Sequence, residues 1–206
     1  MNPDNFPDRQ YTYVYHSPGI EPWICGLLKD RVVENVLDVG CGVGSWGFLI
    51  KNYISPDANI IGVDLSAEKL ERLKKFKIYN ELIPADITTL KLDSKFDVIL
   101  AIEVLHNLSN DVAVFLSYVE MHLAKKGLIV VSGPSNPHLM RALRKRNYEV
   151  YDYQLRGLVL TNTATGKTKV MWRESKFLRI FGMLLRFVRF FGAKDPKYVL
   201  AFKESV

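Results

Sequence analysis

The stretch VLDVGCGVGSWG, Val36 to Gly47, brings one carboxylate and four glycines together directly after an apolar run. Glycines at such a place let the backbone approach a ligand closely, and the helix that follows points its first amides at it. Two registers compete. Gly42, Gly44 and Gly47 fit a G-x-G-x-x-G dinucleotide pattern, whereas Asp38, Gly40, Gly42 and Gly44 fit an acidic D-x-G-x-G-x-G loop. The apolar run Val36 to Val39 ends at Gly40, so the tight turn should start there; the dinucleotide register would start at Gly42, with bulky Trp46 inside it. Asp38 has no task in hydride transfer and sits close to where a bound amino acid's ammonium would lie. Asp64, in IIGVDLS, lies roughly 20 residues on, where a carboxylate accepts hydrogen bonds from ribose hydroxyls in either register.

These residues need a sheet to hold them. Apolar runs at Asn35–Val39, Asn59–Val63, Phe96–Ile102 and Gly127–Ser132, with weaker ones at Glu149–Tyr153 and Tyr198–Phe202, alternate with helical patterns at 18–33, 43–53, 66–76, 110–124 and 136–146. Near-continuous Val, Ile and Leu suits strands covered on both faces, and the alternation predicts an α/β fold with a largely parallel sheet. Ser66, and Asn110 or Asp111, stand where helix caps belong. The stretch between the last two strands is too long for a plain loop and should hold an element of its own.

As a set, these motifs resemble the class I S-adenosylmethionine-dependent methyltransferases. VLDVGCGVGSWG is similar to their first motif, IIGVDLS to the second, ELIPADITTL to the third, and FDVILAIEVLHNL and LAKKGLIVVSGPS to the following ones, in order from about residue 32 to 135. The resemblance implies a single doubly wound, Rossmann-like domain with a seven-stranded, mostly parallel sheet whose last strand is antiparallel. It divides the chain into an N-terminal lid or leading helix (1–34), a cofactor-binding core (35–154), a basic amphipathic helical insert (155–196) and the last strand (197–206). It implies that S-adenosyl-L-methionine is the methyl donor. Asp38, Gly40, Cys41, Gly42 and Gly44 would meet its methionine part, with Asp38 ordering the loop and the ammonium. Asp64 would hold the ribose and Leu65 would pack on adenine. Asp86 would accept from the adenine amino group and the Ile87 amide would meet the ring, while Ala101, Ile102 and Glu103 would line the sulfonium and acceptor side.

Methyl transfer from a sulfonium is an in-line displacement, so holding donor and acceptor together is the main task, and a base is needed only if the acceptor must lose a proton. Glu103 and His106, just past the fourth strand, are the catalytic candidates; for His106 the alternative is a hydrogen bond to its own loop. His16, with Tyr11, Tyr13 and Tyr15, lines the acceptor side or simply packs a first helix. The motif AIEVLH lacks the N-P-P-Y or D-P-P-Y signature of enzymes acting on adenine N6 or glutamine, no Pro-Cys nucleophile follows it, and no D-x-D or D-N cluster suggests a metal. Small-molecule, lipid or quinone-like acceptors remain.

The formal net charge of +6 conceals an asymmetry. Residues 1–136 carry 13 Lys+Arg against 17 Asp+Glu, and residues 137–206 carry 15 against 5. Within the insert, KFLRIFGMLLRFVRFFG reads as an amphipathic cationic helix, with Lys176, Arg179, Arg186 and Arg189 on one side. It packs on the domain, touches a membrane or caps a greasy acceptor through 176–191, or joins Arg141, Arg144, Lys145 and Arg146 in binding RNA. The alternatives to a small-molecule enzyme are therefore an RNA methyltransferase and a non-catalytic S-adenosylmethionine-binding regulator. Only Cys25 and Cys41 are present, with neither C-x-x-C spacing nor a disulfide framework, and the polar stretch MNPDNFPDRQ, with no apolar h-region, leads to the expectation of no signal peptide. A cytoplasmic protein, peripheral to membranes if the insert binds them, is the expectation.

Overall fold

Five parallel strands carry the segments singled out above. In the computed structural model, which describes residues 20–105, 112–135, 137–154, 159–162, 168–170 and 197–205, the chain runs α1 (Ile20–Leu28), β1 (Asn35–Val39) and α2 (Ser45–Leu49). A π-helical turn, Ile50–Ile54, extends α2, and its Ile50 carbonyl accepts from the Ser55 amide. Then follow β2 (Asn59–Asp64), α3 (Ala67–Lys74), β3 (Glu81–Pro84), β4 (Phe96–Ala101), α4 (Val112–Met121), β5 (Leu123–Pro134), α5 (Pro137–Lys145), β6 (Glu149–Gln154), β7 (Val159–Asn162), β8 (Thr168–Val170) and β9 (Lys197–Glu204).

The strand order is β3-β2-β1-β4-β5-β9-β6-β7-β8. Strands β3, β2, β1, β4 and β5 are parallel, and β9 runs antiparallel between β5 and β6. This is the doubly wound sheet with an antiparallel last strand that the sequence predicts. The chain leaves β1 toward β2 and β3, then crosses back to β4 on the other side. The crevice beyond the carboxyl ends of β1 and β4 is thus the topological switch point, where α/β sheets bind ligands.

Helices cover both faces because the strands are apolar on both. Leu37, Val39, Ile99, Ala101, Ile129 and Val131 pack with Phe115, Leu116 and Val119 of α4 and Leu139 and Leu143 of α5. Val36, Ile60, Val98, Leu100 and Val130 pack on the other face with Ile20, Ile24 and Leu28 of α1 and with Trp46 and Ile50. Ile20, Ile24 and Leu28 recur every fourth residue, which makes one helical stripe; burying each contributes roughly 2 kcal/mol. Ser66 caps α3, its hydroxyl accepting from the Lys69 amide at 3.3 Å, as its position in the sequence predicts.

Two expectations change. Strand β3 was not visible as an apolar run, because it is a four-residue edge strand that starts at Glu81 and ends at Pro84. The described part of the insert is a β-hairpin rather than helix: β7 pairs with β8 through Val159↔Val170, Leu160↔Lys169 and Thr161↔Thr168, which extends the seven-stranded core to nine strands. Its Thr and Val content favours a strand over a helix. The amphipathic segment 176–191 lies outside the described residues, as do Asn110 and Asp111. No helix among the described residues is long and apolar enough to cross a membrane.

Candidate functional site

The loop after β1 uses the acidic register. Gly40, Gly42 and Gly44 all have left-handed backbones, with φ of 66°, 54° and 85°. A side chain is strained there, and at Gly40 it would also collide, since a Cβ would lie 2.3 Å from Val104 Cγ2. The β1 turn therefore rests directly on the turn that follows β4. The amides of Gly40 and Cys41 both donate to the Val63 carbonyl, at 2.7 and 3.1 Å, which clamps the loop to β2. Cys41 packs with Leu70 and Leu73, and burial pushes its thiol well above the ordinary range, as do the nearby carboxylates of Asp38 and Asp64. It stays a neutral thiol, and its backbone is spent within the loop, the amide on Val63 and the carbonyl accepting from the Gly44 amide at 2.8 Å.

Asp64 ends β2 at the front of this loop. Its Oδ2 accepts from the Gly42 amide and its Oδ1 from the Ser66 amide, both at 2.9 Å. A carboxylate has about four acceptor positions, so two remain for a ligand's hydroxyls. Leu65 beside it is 73% exposed. After β3, Asp86 accepts from the Thr88 amide at 2.8 Å and the Thr88 hydroxyl at 2.7 Å, and these bonds hold its carboxyl below the usual range. Asp86 is exposed while the next side chain, Ile87, is buried in the core, an anchor that fixes the loop and leaves Asp86 outside.

Asp38 lies behind the loop. Side chains alternate along a strand, so Leu37 and Val39 point to the α4–α5 layer while Asp38 shares the α1–α2 face with Val36. It is 1% exposed. Its Oδ2 accepts from the Tyr79 hydroxyl at 2.6 Å, and the Gly47 backbone also hydrogen-bonds it. Burial nonetheless pushes the carboxyl up to about 7, with the Asp64 charge adding to the rise. Burial and the neighbouring Asp38 also hold the Tyr79 phenol well above its ordinary value. Asp38 is thus bonded to the Gly47 backbone of α2 and to Tyr79, partners that belong to the protein itself.

At the end of β4, Ala101 and Ile102 are buried, and Glu103 adopts φ of 59°, the left-handed region that a side chain rarely takes. Ser132 on β5 holds it. The Glu103 amide donates to the Ser132 carbonyl at 3.1 Å and to its Oγ at 3.0 Å, and the hydroxyl in turn lies 3.2 Å from Glu103 Oε1, donating to it. Such strain collects at functional sites. The structure thus gathers Asp38, Gly40, Cys41, Gly42, Gly44, Asp64, Leu65, Asp86, Ile87, Ala101, Ile102 and Glu103 around the carboxyl ends of β1 to β4. His106, His16, Tyr11, Tyr13 and Tyr15 lie outside the described residues. Tyr79 and Ser132 were not singled out in the sequence. Gly62, inside β2, was the available sign for Tyr79, since a glycine within a strand often marks a close approach.

Residues 37–129 match the family model described as a methyltransferase domain. Over 166 residues the chain is 28% identical to phosphoethanolamine N-methyltransferase of Triticum aestivum, covering 75% of this chain and 32% of that protein. Over 77 residues it is 32% identical to demethylmenaquinone methyltransferase of Listeria monocytogenes, covering 34% of this chain and 32% of that one. The chain spans about a third of the length of the curated relatives it matches. Among solved structures, the plantazolicin methyltransferase BpumL in complex with SAH superposes with a TM-score of 0.60 at 16% identity, over 90% of this chain and 82% of that one. The N-methyltransferase NodS of Bradyrhizobium japonicum superposes with a TM-score of 0.57 at 14% identity, over 90% and 94%.

Proposed function

We propose that the chain is a class I S-adenosylmethionine-dependent methyltransferase, as the match of residues 37–129 to a methyltransferase-domain model supports, and that it transfers a methyl group from S-adenosyl-L-methionine to a small-molecule or lipid-like acceptor. The observation that carries the reading is the left-handed glycine loop, Gly40 to Gly44, tied at its front to Asp64. When bound, S-adenosylmethionine supplies a methyl group on a sulfonium, ready for in-line displacement. The residues fit it. Backbone at Gly40, Gly42 and Gly44 would accommodate the methionine part where a side chain could not, the free acceptor positions of Asp64 would take the ribose hydroxyls, and Leu65 would be covered by adenine. Asp86, held ionised by Thr88, would accept from the adenine amino group.

On the acceptor side, Glu103 is the described group with the chemistry to take a proton or to hold a cationic acceptor, and Ser132 fixes its direction. The relatives support a small acceptor: the names of two of them specify phosphoethanolamine and demethylmenaquinone. Calorimetry with S-adenosylmethionine and S-adenosylhomocysteine tests the donor. Micromolar binding of either is expected, while binding of a nicotinamide dinucleotide in their place overturns the reading. Incubation with labelled donor and separated metabolite, lipid, RNA and protein fractions tests the acceptor. Label should appear in the metabolite or lipid fraction; label confined to RNA would instead favour the basic C-terminal third as a nucleic-acid surface.

A further inference from the structure

The segment between α3 and β3 sends a tyrosine across the sheet edge to the back of the glycine loop, and three glycines make room for it. A Cβ at Gly62 would lie 2.8 Å from Tyr79 Cδ1, one at Gly47 would lie 2.5 Å from its hydroxyl oxygen, and one at Gly44 would lie 3.2 Å from Cε2. These glycines sit on β2, on α2 and at the start of α2, so the ring is contacted from three sides. Gly62 is also the β2 residue directly opposite Asp38 in the parallel register, so its missing side chain opens the path by which the phenol reaches that carboxyl. Neighbouring Asn80 fixes the approach, its side chain accepting from the Ile60 amide at 2.9 Å while its own amide donates to the Ile60 carbonyl at 2.9 Å.

We propose that Tyr79 is the positioning residue of the glycine loop: its ring fills the space left by Gly44, Gly47 and Gly62, and its hydroxyl holds the Asp38 carboxyl, which together keep the loop in its donor-binding shape from behind. The proposal rests on the donor reading above. It gives Gly47 a task that the acidic register leaves it without, namely accommodating the phenol while its backbone bonds Asp38. It also predicts a coupling between protonation and binding. Asp38 faces Tyr79, the Gly47 backbone and, through space, Asp64 at the end of β2; the Cys41 thiol beside it feels Lys69 of α3. Removing the phenol hydroxyl takes one hydrogen-bond donor from the ionised carboxyl, so Asp38 should titrate at higher pH. A donor that carries an ammonium and a sulfonium binds better to the ionised form, so affinity should rise with pH through this titration.

Tyr79→Phe keeps the ring and removes only the hydroxyl. Binding of S-adenosylhomocysteine, which retains the ammonium, is measured by calorimetry from about pH 6 to 9 for the native chain and the variant. The expected result is affinity lower by about tenfold near pH 7, with the midpoint of the pH dependence displaced upward by roughly one unit. A tyrosine that merely filled space would leave the midpoint where it is. Gly62→Ala, which crowds the ring from β2 and leaves the hydroxyl in place, should also weaken binding. Native affinity and a native pH midpoint in Tyr79→Phe overturn the proposal while the donor reading stands. A native chain that binds neither S-adenosylmethionine nor S-adenosylhomocysteine overturns both.

Discussion

Asp38 and Asp64 both hold the glycine loop, one from behind and one from the front, and they do so by opposite physics. Asp64 stands at a strand end, partly open to solvent, and spends two of its acceptor positions on the amides of Gly42 and Ser66. Asp38 is sealed beneath α2 with a phenol and a backbone partner, and its charge is costly enough there to push the carboxyl up to about 7. The front carboxylate therefore has acceptor positions left over for a ligand, whereas the back one has none in reach and can act only through the loop it braces and the charge it carries. Residues that touch a ligand need spare valence and access; residues that shape a site need neither.

The largest effect should come from the glycine between these two. Gly40→Ala forces a side chain into a left-handed backbone and against Val104, where a Cβ would lie 2.3 Å from Cγ2. Strain and overpacking together should cost on the order of 3–5 kcal/mol and abolish donor binding, read by urea unfolding and calorimetry. Gly26→Ala is the control. It lies in α1 with nothing within 4 Å of a new Cβ, and it should stabilise the chain by about 0.5–1 kcal/mol. Equal behaviour of the two variants would remove the case that the loop is shaped by its backbone.

Next in size, Asp38→Asn separates the back of the loop from the front by pH. The folded carboxyl titrates near 7 against an ordinary 3.8, so between these values the folded chain holds a proton that the unfolded chain has released. The native chain should therefore lose stability as pH rises from about 4 to 7 and level off above, at up to roughly 1.4 kcal/mol per unit. Asp38→Asn should lack this slope, so the variant gains on the native chain with rising pH in urea unfolding. At the front, Asp64→Ala should weaken S-adenosylhomocysteine binding by about 2 kcal/mol, through lost charge-assisted hydrogen bonds. An Asp38→Asn chain with the native slope would place the raised carboxyl elsewhere and undo the contrast.

The front of the site was legible because it is local. The place where an apolar run stops, the spacing of glycines that need positive φ, and a carboxylate at the next strand's end are all written within about thirty consecutive residues, Val36 to Asp64. The back was not, because its partner arrives from another part of the chain: Tyr79 is 41 residues from Asp38 in sequence and reaches it across β2. The alternation along β1 already put Asp38 on the face of Val36, and Gly62 marked the opening, but neither says which side chain fills it. Ser132 was hidden for a similar reason, since it meets Glu103 only when β5 pairs beside β4. Strand β3 was hidden by weakness of signal, and the β7–β8 hairpin because the strongest pattern of the insert, its cationic amphipathic run, lies beyond it in sequence.

The smallest effect concerns Glu103, where shape and chemistry share one residue. Its φ of 59° is a conformation that glycine adopts freely and alanine does not. Glu103→Gly and Glu103→Ala both delete the carboxylate that Ser132 orients, so the difference between them isolates the backbone. The glycine variant should be the more stable by about 1 kcal/mol in urea unfolding. If the carboxylate meets the acceptor, both variants should lose methyl transfer alike while keeping native affinity for S-adenosylhomocysteine, because the proposed donor contacts are on the loop and on Asp64. If instead the strained turn is what matters, through Val104 against Gly40, the two should differ in donor affinity as they differ in stability. The pair thus decides whether this residue belongs with Asp64, proposed to touch the ligand, or with Asp38, which shapes the loop from behind.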